Sequence, residues 1–278
     1  MMANAIESMV YIRDLPWHGI GRRIEKSTSV KKVLEESKLG KDFFPKYRAE
    51  FELVEYISGS DGKPFVEIVG SLFEGRRIFF LGKLESSTVL GDQIDPYLIF
   101  TYSYDERTIV KVSIIPIRVV CNNALTATFA GSSRQWESSH ASSNKDKIAD
   151  AQETVRRAND YMKGFPQFAK MMVDTNLYDV NIVDFMKKIF PTPKGASPLT
   201  IKNIDLKMQT LYNIYTAVED IAKYEGTAWG MYNAVSDFAI HVRPKIETTT
   251  WRETIFTKTV DGHPLIKKAQ KILLQVKQ

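Results

Sequence analysis

The stretch PYLIFTYSYDERTIVKVSIIPIRVVCNNALTATF, residues 96–129, constrains the fold more than any other part of the chain. Leu98, Phe100, Tyr102 and Tyr104 alternate with smaller or polar neighbours, the period of a half-buried strand. Asp105-Glu106-Arg107 reads as a polar turn, and Val110, Val112 and Ile114 resume the alternation on a return strand. At Ile115 the phase slips by one residue, leaving Ile115, Ile117 and Val119 as the apolar set. Beside Pro116, which has no N–H to give a ladder, that slip predicts a β-bulge. Cys121-Asn122-Asn123 then supplies turn or cap residues before the small-residue segment 124–130.

The neighbouring segments extend this hairpin. Residues 65–73 and 76–84 read as strands joined at Glu74-Gly75, which makes an antiparallel meander of about five strands. Before it, residues 29–39 read as a short helix and residues 47–57 as a loosening strand, with a turn cluster at 58–62. From Asn144 the period changes. Ile148, Ala151, Val155, Ala158, Met162, Phe165, Ala169 and Met172 form a seam at alternating spacings of three and four, interrupted by Pro166, which predicts a long kinked helix packed on its own core. Further helices are expected over 179–190, 206–224, 227–242 and 264–276, with the largest surface loop at Pro191–Pro198. The fold class is therefore α+β. Residues 1–130 carry the N-terminal segment and meander, and residues 131–278 form a helical half packed on the sheet as one unit.

Composition narrows the function. No run of eighteen apolar residues exists to span a membrane, and the N-terminus lacks a basic region followed by an apolar one. One cysteine, Cys121, precludes an internal disulfide and fits a cytoplasmic location. The net charge is +5, and it is unevenly placed. Residues 1–130 hold 17 basic and 17 acidic side chains; residues 131–278 hold 21 and 16, with 7 and 3 of these in residues 245–278. An acidic partner is the natural complement of such a bias.

No nucleotide-binding loop, zincin helix or paired cysteine set is present, so no catalytic residue, cofactor or metal is assigned. His18, His140 and His241 would serve an enzyme only if the fold brought them into one pocket. What remains is a set of cations beside strand aromatics: Arg76, Arg77 and Lys83 with Phe79 and Phe80, and Arg107, Lys111 and Arg118 with Tyr102 and Tyr104. Cations that meet phosphates and rings that meet bases suit single-stranded nucleic acid. Arg156 and Arg157, on the solvent face of the long helix, form a second group.

Three motifs in order, Pro16-Trp17-His18-Gly19-Ile20-Gly21, Pro116 through Leu125 (PIRVVCNNAL) and Gly226 through Val235 (GTAWGMYNAV), resemble a phage and plasmid protein family of unknown function. Gly70-Ser71-Leu72 before Gly75-Arg76-Arg77 also resembles its pattern. The order of elements is similar to that of the Red-beta kind of single-strand annealing protein. Together these resemblances imply DNA handling in recombination or replication within a bacterial host cell, by a ring- or filament-forming homo-oligomer that holds single-stranded DNA. Binding to a host protein is the alternative, and a histidine-pocket enzyme the next. Trp17, His18, Asn122, Asn123, Trp229 and Asn233 are expected to be structural, fixing turns and helix ends through buried hydrogen bonds.

Overall fold

A computed structural model describes residues 10–11, 17–20, 22–23, 66–73, 77–103, 110–129, 133–138, 144–177, 182–244 and 246–276. The helix expected at 29–39, the strand at 47–57 and the tight turns at 74–75 and 105–107 lie outside these residues.

The chain is α+β, a curled antiparallel sheet followed by a helical half. Two short strands come first, β1 (Val10–Tyr11) and β2 (Arg22–Arg23). The meander follows as β3 (Val66–Leu72), β4 (Arg77–Lys83), β5 (Ser87–Val89), β6 (Asp92–Ser103) and β7 (Val110–Arg118), then β8 (Asn123–Ala124) and β9 (Gln135–Ser138). In space the order is β2-β3-β4-β6-β7-β8, with β5 on β6 and β9 on β7.

The β6–β7 register runs without a shift from Ile94 opposite Arg118 to Thr101 opposite Lys111, so no bulge lies at Pro116. Two facts account for the slipped pattern. Residues 112–118 are all buried, so alternation between a wet and a dry face never applies. Pro116 also stands opposite Pro96, and its carbonyl accepts from Leu125 N at 2.8 Å, on the side away from β6. Its missing N–H therefore falls where the neighbour of β7 changes from β9 to β8. The register shift that does occur is at Val66/Ile68, between β3 and β4.

The helical half begins with α1 (Asn144–Asp174), which continues through Pro166. It buries Ala158, Tyr161, Phe165, Phe168, Ala169 and Met172. Then come α2 (Ile182–Ile189), α3 (Pro198–Ala217), α4 (Glu219–Ala222) and α5 (Ala228–His241). The proline-rich loop between α2 and α3 is exposed, and Ser197 caps α3 by accepting from Thr200 N. All residues of α5 are buried, and Ser236 Oγ on it donates to Ala124 O at 2.9 Å. This helix is the hub between the sheet, α1 and α3. After β10 (Val242–Arg243), which pairs with β1, come α6 (Trp251–Asp261) and α7 (Pro264–Leu273). Together these two form a 23-residue helix bent by 38°, with the break at Gly262-His263. Helix α6 crosses the open end of the sheet, where Phe256 packs on Phe79 with ring centroids 4.5 Å apart.

Candidate nucleic-acid interface

The cations singled out from sequence separate into three environments. Arg118 is fully buried, with its side chain 0% exposed, so it is no phosphate contact. Its Nε donates to Asp92 Oδ2 at 2.8 Å, Nη1 to Asp220 Oδ2 at 3.1 Å and Nη2 to Asp220 O at 2.7 Å. Lys223 Nζ reaches the other Asp92 oxygen at 2.9 Å. Burial acts to raise the Asp92 carboxyl, but the hydrogen bonds and charges of Lys223 and Arg118 outweigh it and hold it below the ordinary value. Arg118 thus fastens the end of β7 and the β5–β6 turn to α4. Cys121, beside it, is pushed up to about 12 by burial and is inert as a nucleophile.

Arg156 and Arg157 are exposed but matched within one helical turn. Glu153 accepts from Arg156 Nε at 2.7 Å and Nη2 at 2.8 Å, and from Arg157 Nε at 2.7 Å. Asp160 accepts from Arg156 Nη1 at 2.6 Å. Hydrogen bonds from Arg156 and Arg157 hold Glu153 down at about 2. This face is a solvated lattice of (i, i+3) and (i, i+4) pairs with little surplus charge.

Arg77 and Lys111 occupy the third environment. Arg77 opposes Ser103 and Lys111 opposes Thr101, so both side chains leave the same face of the sheet, one on each side of β6. That face meets the C-terminus of α6. Arg77 Nη1 lies 3.7 Å from Asp261 Oδ2, and Lys111 Nζ lies 3.9 Å from Oδ1. Two further cations close around the same point. Arg134, 4% exposed, donates through Nη2 to Val260 O at 2.8 Å and through Nη1 to Ile114 O at 3.4 Å. Burial holds the Arg134 guanidinium below its ordinary value, against the pull of Tyr161, Tyr232 and Asp261. Lys267 Nζ donates to Asp261 O at 2.9 Å. Gly262 permits this approach: its φ is +90°, and a Cβ there would lie 2.8 Å from Lys267 Nζ and 3.1 Å from Arg134 Nη2. Asp261 and the carbonyl end of α6, together equivalent to roughly one and a half negative charges, thus face four cations.

The surplus continues along α7, whose segment PLIKKAQKIL has no acidic residue and exposes Lys267, Lys268 and Lys271. Lys268 Nζ donates to Ile189 O at 3.3 Å, which joins α7 to the end of α2 and its exposed Lys187 and Lys188. A basic strip therefore runs from the sheet end, across Asp261, along α7 to α2. The C-terminal charge surplus signalled this strip in the sequence. Nothing local marked Arg134 or Asp261 as members of it.

Phe79 and Phe80, expected beside these cations as stacking platforms, are core residues, both buried. Arg76, Arg107, Tyr104 and His140, and the side chain of Tyr102, lie outside the described residues. His18 and His241 are both buried, with ring centroids 6.1 Å apart, and His18 lies 5.1 Å from the Trp251 ring. Trp17 packs edge-on against Tyr97 at 5.1 Å. Asn122 takes a left-handed φ of 54° in the turn after β7. Asn123 Nδ2 lies 3.5 Å from Asn233 O, and Asn233 Nδ2 donates to Trp229 O at 2.9 Å, so the second and third motifs meet in the core. Among the described residues no group of three or more His, Cys, Asp and Glu could hold a metal ion, and no helix is long and apolar enough to cross a membrane.

No curated protein and no solved structure matches the chain. A family profile described as a domain of unknown function matches residues 46–273, a span that holds strands β3 to β9, the hub helix and the basic strip but begins after the Trp17 motif and β2. The chain belongs to that family, DUF932.

Proposed function

We propose that the protein binds single-stranded DNA through its phosphate backbone along the basic strip, in the service of recombination or replication. The observation that carries this reading is the convergence of Arg77 and Lys111 on the Asp261 carboxylate and of Arg134 and Lys267 on the main-chain oxygens at the end of α6, continued by Lys268 and Lys271. Lys111 and the α7 lysines are the contacts open to solvent, Arg77 is half-buried at the edge of the strip with its side chain 17% exposed, and Arg134 adds a fixed charge from behind. The resemblance of the three motifs to a phage and plasmid family supports a DNA substrate.

The test is fluorescence anisotropy with labelled oligo-dT, and a labelled duplex as comparator, at about 50 and 200 mM salt. Release of counterions from about five phosphates should weaken single-strand binding about 130-fold between those salts. Arg77→Ala with Lys111→Ala should lose most of the affinity, while Arg156→Ala with Arg157→Ala should leave it unchanged. No binding at the lower salt overturns the reading.

A second reading, association with protein, is favoured by α3. No residue of its first three turns, 198–209, is buried, and Leu199 and Ile201 there are 67% and 42% exposed. Self-association through this segment would build the expected homo-oligomer. Sedimentation velocity of the wild type against Leu199→Glu with Ile201→Glu decides it, and a wild-type monomer at tens of micromolar would exclude it.

A further inference from the structure

We infer that the gap between Arg77 and Lys111 is a subsite for one backbone phosphate, and that Asp261 holds it as a built-in competing anion while the chain is free. This rests on the nucleic-acid reading and adds to it a residue that sets the affinity. The two cations leave β4 and β7 on one face, and the Asp261 carboxylate stands between them with one oxygen toward each. Both separations, 3.7 and 3.9 Å, exceed hydrogen-bond reach, so the carboxylate balances the pair without engaging its donors. Asp261 Oδ1 is buried and accepts no hydrogen bond from the described residues.

The surroundings favour exchange for a phosphate. Arg134 and Lys267 are held on the neighbouring main-chain oxygens of Val260 and Asp261, not on the carboxylate. They stay in place whichever anion lies between Arg77 and Lys111. The Asp261 side chain is 37% exposed and sits on the last residue of α6, beside the bend at Gly262, so rotation about its own bonds carries the carboxylate toward water. A phosphate offers several oxygens where a carboxylate offers two, and accepts from the Arg77 fork and the Lys111 ammonium together. The cost of binding includes displacing Asp261, which keeps the free strip from closing on other anions.

Labelled oligo-dT binding by the full chain, measured across a salt series for the wild type and Asp261→Asn, tests this. Removing one negative charge about 4 Å from the phosphate site should tighten binding about fivefold to tenfold in water-like dielectric. The slope of log affinity against log salt should steepen by about 0.7 for each cation released, a change that a merely structural role would not produce. Asp261→Glu, which keeps the charge, should stay at wild-type affinity, and Asp261→Ala serves if the asparagine variant melts early. Wild-type binding with unchanged or weaker binding by Asp261→Asn overturns the subsite and leaves the nucleic-acid reading standing. Absence of binding by both at about 50 mM salt overturns the nucleic-acid reading, and the subsite with it.

Discussion

Replacing Arg118 with methionine should unsettle the fold without touching the strip. The aliphatic stem of Arg118 would be retained in outline, but Asp92 and Asp220 would lose the cation they share. Removing one partner of a buried ion pair costs about 3–5 kcal/mol, because the other charge is left uncompensated. Here the lower end applies. Asp92 keeps Lys223 at 2.9 Å, and the two carboxylates retain 11% and 12% of their exposure, so water partly replaces the guanidinium. Asp220 O also loses its donor. A loss of about 3 kcal/mol lowers the melting temperature by about 6–12 °C for a chain of this size. Circular dichroism melts and urea unfolding would measure it, with oligo-dT affinity below the transition expected to match the wild type. Adding Asp220→Asn should recover part of the loss, since it removes the stranded charge. The pair also sets an acid limit. Because the folded Asp92 pKa lies below 3.8, its contribution is complete above that pH and is lost as pH falls through the folded value, so the variant should show a flatter acid limb. A loss under about 1 kcal/mol would refute the reasoning, as it would place Arg118 among ordinary solvated pairs.

Two further outcomes follow from the geometry. Gly230→Ala would set a Cβ 2.3 Å from the main-chain oxygen of Tyr224, which cannot swing away, and should cost about 2–4 kcal/mol of stability by urea unfolding; a neutral result would mean α5 shifts freely in its core. His263 caps α7 by accepting from Leu265 N at 3.2 Å, and burial, reinforced by Lys258, lowers its pKa to about 4 from 6.5. The unfolded chain therefore takes up a proton that the fold resists, and stability should rise from pH 4 to 6.5 and stay complete above, with on the order of 2 kcal/mol missing at pH 5. His263→Asn keeps a capping oxygen and should abolish that slope; an unchanged slope would point to another group.

The sequence was most legible where one side of an element meets water. The apolar seam from Val155 to Met172, set against exposed Arg156, Arg157, Lys163 and Lys170, gave α1 its length. Strand β6 was placed by its run of strand-forming residues, although residues 94–101 are buried on both faces. Where both faces are covered the periodic signal failed: the buried run through Pro116 imitated a bulge because period has no meaning without a polar side. Helix α6 went unread for a related reason. It buries Ile255, Phe256, Thr259 and Val260, two of them β-branched aliphatics and one a threonine, against a sheet end, a set that carries little helical signature. Arg118 could not be told from a surface cation, because Asp92 and Asp220 lie 26 and 102 residues away. The strip was half visible. The surplus of lysine near the C-terminus is local composition, whereas the convergence of β4, β7, the segment at Arg134 and α6 is a property of the folded sheet.

The burial of α5 on every side has a kinetic consequence. A helix with no wet face has no stable existence before its neighbours arrive, since an isolated segment of 14 residues is marginal in water. Its ordering must coincide with closure of the sheet and α1 around it, and the same closure must be undone before its amides meet solvent. Hydrogen exchange along Trp229–Ile240 should therefore report the free energy of global opening, while the amides of the unburied first turns of α3 exchange by local fraying alone.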